Sequence, residues 1–212
     1  LSLRRQRQMC IRDSTQVLVW KNTESLEQLR AETRLKEVCQ NRLEGMKSEQ
    51  HQKGFLGVRM LLQHVGYTDF DLFYDANGKP HLKDGKNISI THSYAFSAII
   101  ISSRQIGIDM ELQREKVLLI ANKFVDSEFS YLNKEDNGDY LRRLIVIWGV
   151  KEAVYKMISR PGMSFKQNIE VFPFTVEDGQ GETFYNFEGV SAKVPFYFME
   201  LEGFTLVYCL GL

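Results

Sequence analysis

The chain has 212 residues, 43% of them hydrophobic and 25% charged, a globular composition with enough apolar material for one large domain or two small ones. Lys plus Arg and Asp plus Glu each total 27 and no block of like charge runs through the body, which argues against nucleic acid or an anionic membrane surface as partner. The longest apolar runs, such as Leu144–Trp148, fall far short of the roughly 18–20 residues of a membrane span, and Cys10, Cys39 and Cys209 form no Cys-x-x-Cys pair, so a disulfide framework and a zinc cage are not expected and a reducing cytoplasm fits best.

Residues 1–14, LSLRRQRQMCIRDS, carry four arginines against one aspartate and show no apolar periodicity. They are expected to be a tail outside the fold, read as translated adapter sequence in preference to an arginine-rich targeting peptide. From Thr15 onward the body holds 23 basic and 26 acidic residues, a net charge of −3.

The alternation in Thr15–Lys21 predicts a strand, and the spacing of Leu26, Leu29 and Leu35 predicts a helix over Ser25–Lys36. A second helix is expected over Lys53–His64, closed by Gly66; Asn77-Gly78 then signals a hairpin joining Leu72–Tyr74 to Pro80–Leu82. Strands follow at Asn87–Thr91 and Ser97–Ser102, with His92-Ser93-Tyr94 at the turn between them. After a break near Ser103 come a strand over Ile106–Glu111 and helical segments around Val117–Val125, Glu128–Leu132 and Asp139–Ser159. The last third reads as strands near Asn168–Phe172, Thr183–Phe187, Ala192–Glu200 and Phe204–Cys209. The order strand, helices, strands thus occurs twice, giving two similar halves, 15–103 and 104–212, with no residue-level repeat.

Two segments carry chemistry. In Ile106-Gly107-Ile108-Asp109-Met110-Glu111 the side chains alternate, so Asp109 and Glu111 share a face beside Gly107. That face is either a solvated acidic surface or a site for a hard cation, Mg²⁺ or Mn²⁺, since the ligands are oxygens without sulfur or paired histidines. In the helix around Trp148, the residues Leu141, Leu144, Ile145, Trp148, Tyr155 and Ile158 form an apolar stripe from whose middle Lys151 and Glu152 project. Charges at core positions must pair with each other, with a metal or with a charged ligand. Lys156, one turn beyond Glu152, adds a cation suited to a phosphate. Of the four histidines only His92, between two apolar strands, stands out; His51, His64 and His81 have no companion ligands. Gly54-Phe55-Leu56-Gly57 lies in a helix and lacks the third glycine of a dinucleotide fingerprint.

Three segments, Ile88-Ser89-Ile90-Thr91-His92-Ser93, Ile106–Glu111 and Trp148-Gly149-Val150-Lys151-Glu152-Ala153-Val154-Tyr155-Lys156, resemble in order and spacing the Ser-His-Ser, Gly-Ile-Asp-x-Glu and Trp-x-x-Lys-Glu-Ala-x-x-Lys motifs of the 4′-phosphopantetheinyl transferases. Asn77-Gly78-Lys79-Pro80 is similar to the family's Gly-Lys-Pro turn. Thr91 stands where the family commonly has Ser, and the hydroxyl is retained. The resemblance covers Thr15 to Leu212 and, by length, favours the two-halved, monomeric surfactin-synthetase type over the short trimeric holo-carrier synthases.

The resemblance implies an α+β fold of two α/β halves related by pseudo-two-fold symmetry, with the active site at their interface. It implies transfer of 4′-phosphopantetheine from coenzyme A to a serine of an apo acyl or peptidyl carrier protein, the holo-[acyl-carrier-protein] synthase activity EC 2.7.8.7, by a cytoplasmic monomer. Asp109, Glu111 and Glu152 would bind Mg²⁺. Lys156 would hold the pyrophosphate, with Lys79 at a phosphate and Lys151 and Thr91 in the coenzyme site. His92 and Arg59 would contact the 3′-phosphate, and Glu128 would be the base, a role open also to a metal ligand acting through water. Two rival readings remain: a Mg²⁺-dependent nucleotide or coenzyme A phosphohydrolase using the same carboxylates, and a non-catalytic carrier-binding module, which would be expected to lose them.

Overall fold

The computed structural model describes residues 15–211 and the backbone of residues 6–11. The chain divides into two compact units, Leu1–Ser103 and Arg104–Leu212. Among the described residues no helix is long and apolar enough to cross a membrane.

The first unit runs β1 (Gln6–Ile11), β2 (Thr15–Lys21), α1 (Leu26–Glu32), α2 (Glu37–Glu44), α3 (Glu49–His64), β3 (Leu72–Tyr74), β4 (Pro80–Leu82), β5 (Asn87–Ser93) and β6 (Phe96–Ser102). Its antiparallel sheet has the order β1-β2-β6-β5-β4-β3. Helix α1 opens on a capping box in which Ser25 Oγ accepts the Gln28 N–H and Gln28 Oε1 accepts the Ser25 N–H. The helix ends at Glu32, short of the expected Lys36, and α2, which sequence periodicity does not announce, buries only Cys39 and Leu43. Helix α3 begins four residues before the expected Lys53 because Ser48 caps it, and it lays Phe55, Leu56, Leu61 and Leu62 against Leu18, Trp20, Ile99 and Ile101. Strand β1 corrects the expectation that residues 1–14 lie outside the fold: Gln6–Ile11 pairs antiparallel with β2 as the outermost strand. An open sheet edge presents a row of N–H and C=O groups that any extended backbone can satisfy, with no apolar pattern required. The other residues of that expected tail lie outside the described residues.

The second unit runs β7 (Ile106–Leu112), α4 (Lys116–Phe124), a 3₁₀ turn at Ser127–Ser130, α5 (Asn137–Ile158), α6 (Phe165–Asn168), β8 (Ile169–Val171), β9 (Gln180–Phe187), β10 (Val190–Leu201) and β11 (Phe204–Leu210). The sheet order is β7-β11-β10-β9-β8. Helix α5 packs along β7 and β11, burying Leu144, Ile147, Val150, Val154 and Met157 in a core with Phe196, Phe198, Val207 and Cys209. With β1 set aside, both sheets place their first strand beside their last and then run back through the remaining three, so the two units repeat one α+β topology.

Candidate active site

Strand β7 and helix α5 build the site together. Alternation puts Gly107, Asp109 and Glu111 on one face of β7, and that face lies against α5. Two glycines let the backbones meet. A Cβ on Gly107 would lie 1.8 Å from the Ala153 carbonyl oxygen, and one on Gly149 would lie 2.7 Å from Val207 Cγ2 and 4.0 Å from Asp109 Oδ2. At that spacing Lys156 Nζ donates to Asp109 Oδ1 at 2.7 Å and to the Ile108 carbonyl at 3.1 Å. Trp148 Nε1 donates to Glu111 Oε1 at 3.2 Å, its ring seated edge-on against Phe124. Asp109 Oδ2 is buried and accepts no hydrogen bond among the described residues.

The electrostatics follow from that crowding. Burial, then the charges of Asp109 and Glu111, push Glu152 up to about 7, with Lys156 opposing. Burial and then Asp109 likewise raise Glu111, against the Trp148 hydrogen bond. Three carboxylates therefore share one field with the Lys156 ammonium, Glu111 also feeling the charge of Arg114, and their hard oxygen donors suit Mg²⁺ or Mn²⁺ in chemistry. They form a neighbourhood and not a finished shell: among the described residues no three Asp, Glu, His or Cys side chains stand grouped so as to hold a metal ion.

Lys151 and Glu128, expected in the coenzyme site and as the base, lie apart from the carboxylates of β7. Successive helix residues diverge by ~100°, so Lys151 turns away from Glu152 into the core. It is 0% exposed, with Nζ 2.6 Å from Glu128 Oε1 and 2.7 Å from the Phe124 carbonyl. Glu128 is equally buried: Oε1 also accepts the Val171 N–H and Oε2 the Asp126 N–H. Burial depresses Lys151 while the Glu128 charge supports it. Enclosed in this way, Lys151 and Glu128 form a buried ion pair. Sequence reasoning also passed over Arg114 and Lys116, which line a cavity of about 210 Å³ with Glu111, Val117, Ile120 and Trp148. Their signal was their position, directly after the acidic strand.

In the first unit His92 sits at the end of β5, opposite Ser97, rather than in the turn, which falls at Tyr94-Ala95 with Tyr94 at φ 46°. His92 is exposed and Thr91, on the other face of the strand, is buried. Lys79 is half-buried in the β3–β4 loop, where burial lowers its pKa against the pull of Asp75. Arg59, expected at the 3′-phosphate, is buried in an ion pair. It is 3% exposed, donates from Nε to Asp69 Oδ1 at 3.0 Å, and lies 3.5 Å over the Phe55 ring centroid. Its partner lies ten residues on in a loop, and the guanidinium is buried in that pair.

Residues 105–209 match the family described as the 4'-phosphopantetheinyl transferase superfamily, and this stretch contains the whole carboxylate cluster. A stretch of 155 residues is 25% identical to the 4'-phosphopantetheinyl transferase gsp of Aneurinibacillus migulanus, covering 71% of this chain. The match spans 63% of that relative's length.

Proposed function

The chain belongs to the 4′-phosphopantetheinyl transferase superfamily, and on that premise we propose that it transfers 4′-phosphopantetheine from coenzyme A to a serine of an apo acyl or peptidyl carrier protein, releasing 3′,5′-ADP. The observation that carries this reading is the cluster on β7 and α5, where Asp109, Glu111 and Glu152 share one field beside Lys156. Those three carboxylates would hold Mg²⁺ or Mn²⁺, which when bound supplies positive charge to the pyrophosphate and its leaving group.

The chain's own residues do the rest. Lys156, already within reach of Asp109, is the cation for a non-bridging pyrophosphate oxygen, and Trp148 fixes the rotamer of Glu111. The carrier serine attacks the pantetheine-side phosphorus; the bond from that phosphorus to the oxygen of 3′,5′-ADP breaks. A serine hydroxyl is a poor nucleophile at neutral pH, so its proton passes to a carboxylate. Glu152, half-buried in the cluster and reached directly or through water, fits this role better than the enclosed Glu128. In the first unit, exposed His92 is the contact for the 3′-phosphate and Lys79 for another phosphate.

The test is mass spectrometry of apo-carrier proteins incubated with the chain, coenzyme A and Mg²⁺. A carrier that gains one phosphopantetheine on serine, with stoichiometric 3′,5′-ADP, supports the proposal. Cleavage of coenzyme A at the same rate without any carrier would overturn it in favour of a phosphohydrolase.

A further inference from the structure

The Gly54-Phe55-Leu56-Gly57 segment of α3 resembles no nucleotide loop, but its glycines face the strands beneath. A Cβ on Gly57 would lie 2.1 Å from Asn22 Oδ1 and 2.6 Å from Ser97 Oγ. At Gly54 the neighbour is different: a Cβ there would lie 3.0 Å from both Cγ and Nδ1 of His92 and 3.3 Å from its Cβ. The imidazole therefore rests on the bare backbone of the helix, with its Cγ–Nδ1 edge inward and Nε2 at the outer end of the ring. The same glycine is gripped from behind. Its carbonyl accepts the hydroxyl of Ser97 at 3.0 Å, and Ser97 is the residue directly opposite His92 in the β5–β6 hairpin. Asn22 Nδ2 donates to Ser97 Oγ at 3.1 Å, and Ser97 is 0% exposed. His51, one turn earlier on α3, stands beside the seat with its ring centroid 6.3 Å from that of His92.

We infer that Gly54 is a positioning residue for donor recognition: the space left by its missing side chain is the seat that fixes the His92 ring, and so fixes where Nε2 meets the phosphate. An exposed histidine at a strand end ordinarily samples several rotamers. Here one rotamer is selected by a backbone that only glycine can offer, and the Ser97 hydrogen bond keeps seat and strand in register. The inference rests on the reading of His92 as the 3′-phosphate contact, and the experiment separates the two.

The variant is Gly54→Ala, whose methyl forces the ring outward by a few tenths of an ångström while leaving the helix able to form. Steady-state titrations with coenzyme A and with dephospho-coenzyme A, which lacks the 3′-phosphate, are run on wild type, Gly54→Ala, His92→Ala and the double variant. The expected result is a rise of about three- to ten-fold in KM for coenzyme A in Gly54→Ala, with kcat within about two-fold and no change for the dephospho donor. In the His92→Ala background, Gly54→Ala should add nothing. If His92→Ala weakens both donors equally, the 3′-phosphate reading falls. If His92→Ala discriminates between donors and Gly54→Ala does not, the reading stands and the seat is wrong. A measurement on the wild type alone covers a variant that fails to fold: NMR relaxation of the imidazoles should find the His92 ring more restricted than that of His64, and equal mobility would overturn the inference.

Discussion

The carbonyl of Ala153 on α5 occupies the space in which a side chain on Gly107 of β7 would begin, 1.8 Å from that position. Helix and strand meet here backbone to backbone, and this contact sets the height at which Asp109, Glu152 and Lys156 face one another.

Gly107→Ala must therefore lift α5 from β7, because the clash is with a carbonyl and not with a side chain that could rotate away. Overpacking of this kind costs about 1–3 kcal/mol, and at this contact the upper part of that range is expected. Thermal unfolding should show a fall of several degrees, and transfer should drop by more than about a hundred-fold as Lys156 and Glu152 lose their register with Asp109. An alanine variant with unchanged melting temperature and rate would mean that the close approach does not set the site.

The buried Glu128–Lys151 pair makes a different prediction. Lys151→Met leaves Glu128 buried with its cation gone, which costs about 3–5 kcal/mol, whereas changing both residues to apolar ones restores much of that loss. Glu128→Gln keeps the shape and an acceptor oxygen for one of the two backbone N–H groups, turns an amide donor toward the other, and removes the charge, so it tests catalysis directly. It should lower the melting temperature while leaving kcat of the folded fraction within about three-fold. A loss of kcat beyond a hundred-fold, with folding intact by circular dichroism, would return Glu128 to the role of base.

Trp148→Phe keeps an aromatic ring against Phe124 but removes the N–H that holds Glu111. A hydrogen bond to a carboxylate is worth about 1.5–3 kcal/mol, less when partly solvated, so transfer should fall about ten-fold with little change in stability. The Mg²⁺ concentration for half-maximal rate should rise in parallel, as expected of a loosened ligand. A rate curve against MgCl₂ that superimposes on wild type would show that the tryptophan acts only through packing.

How much of this could be read from the sequence depended on whether the signal lay within one element. Gly107, Asp109 and Glu111 follow from strand alternation alone, and Glu152 and Lys156 follow from their separation of one helical turn. The partners of Lys151 do not: Glu128 lies 23 residues upstream and is held by N–H groups of Asp126 and Val171, so nothing local announces the pair. The ion pair of Arg59 is equally silent in the sequence, because its partner Asp69 lies ten residues on in a loop. Helix α2 was missed because two buried residues, Cys39 and Leu43, make no periodic stripe. Strand β1 joins its sheet through backbone groups, which carry no side-chain pattern.

Glu152 supplies the last prediction, through linkage between protonation and folding. In the protein without metal its carboxyl is raised from 4.5 to about 7 by burial and by Asp109 and Glu111. Between those values the folded chain holds a proton that the unfolded chain has released, so the folded state binds more protons and stability must fall as pH rises through the window. The full effect corresponds to at most about 3 kcal/mol, lost by pH 8 and regained below pH 4.5, with water at the half-buried group reducing it. Glu152→Gln has no such proton to lose. Its unfolding curve should be flatter than wild type between pH 5 and 8, and at pH 8 the variant should be the more stable of the two. A divalent cation acts on the same carboxylates from the other side: MgCl₂ at pH 8 should raise the melting temperature of wild type and leave that of Glu152→Gln nearly unmoved. Parallel pH profiles for the two proteins would show that Glu152 is not held in the field of its neighbours, and an equal Mg²⁺ response in both would remove it from the ligand set.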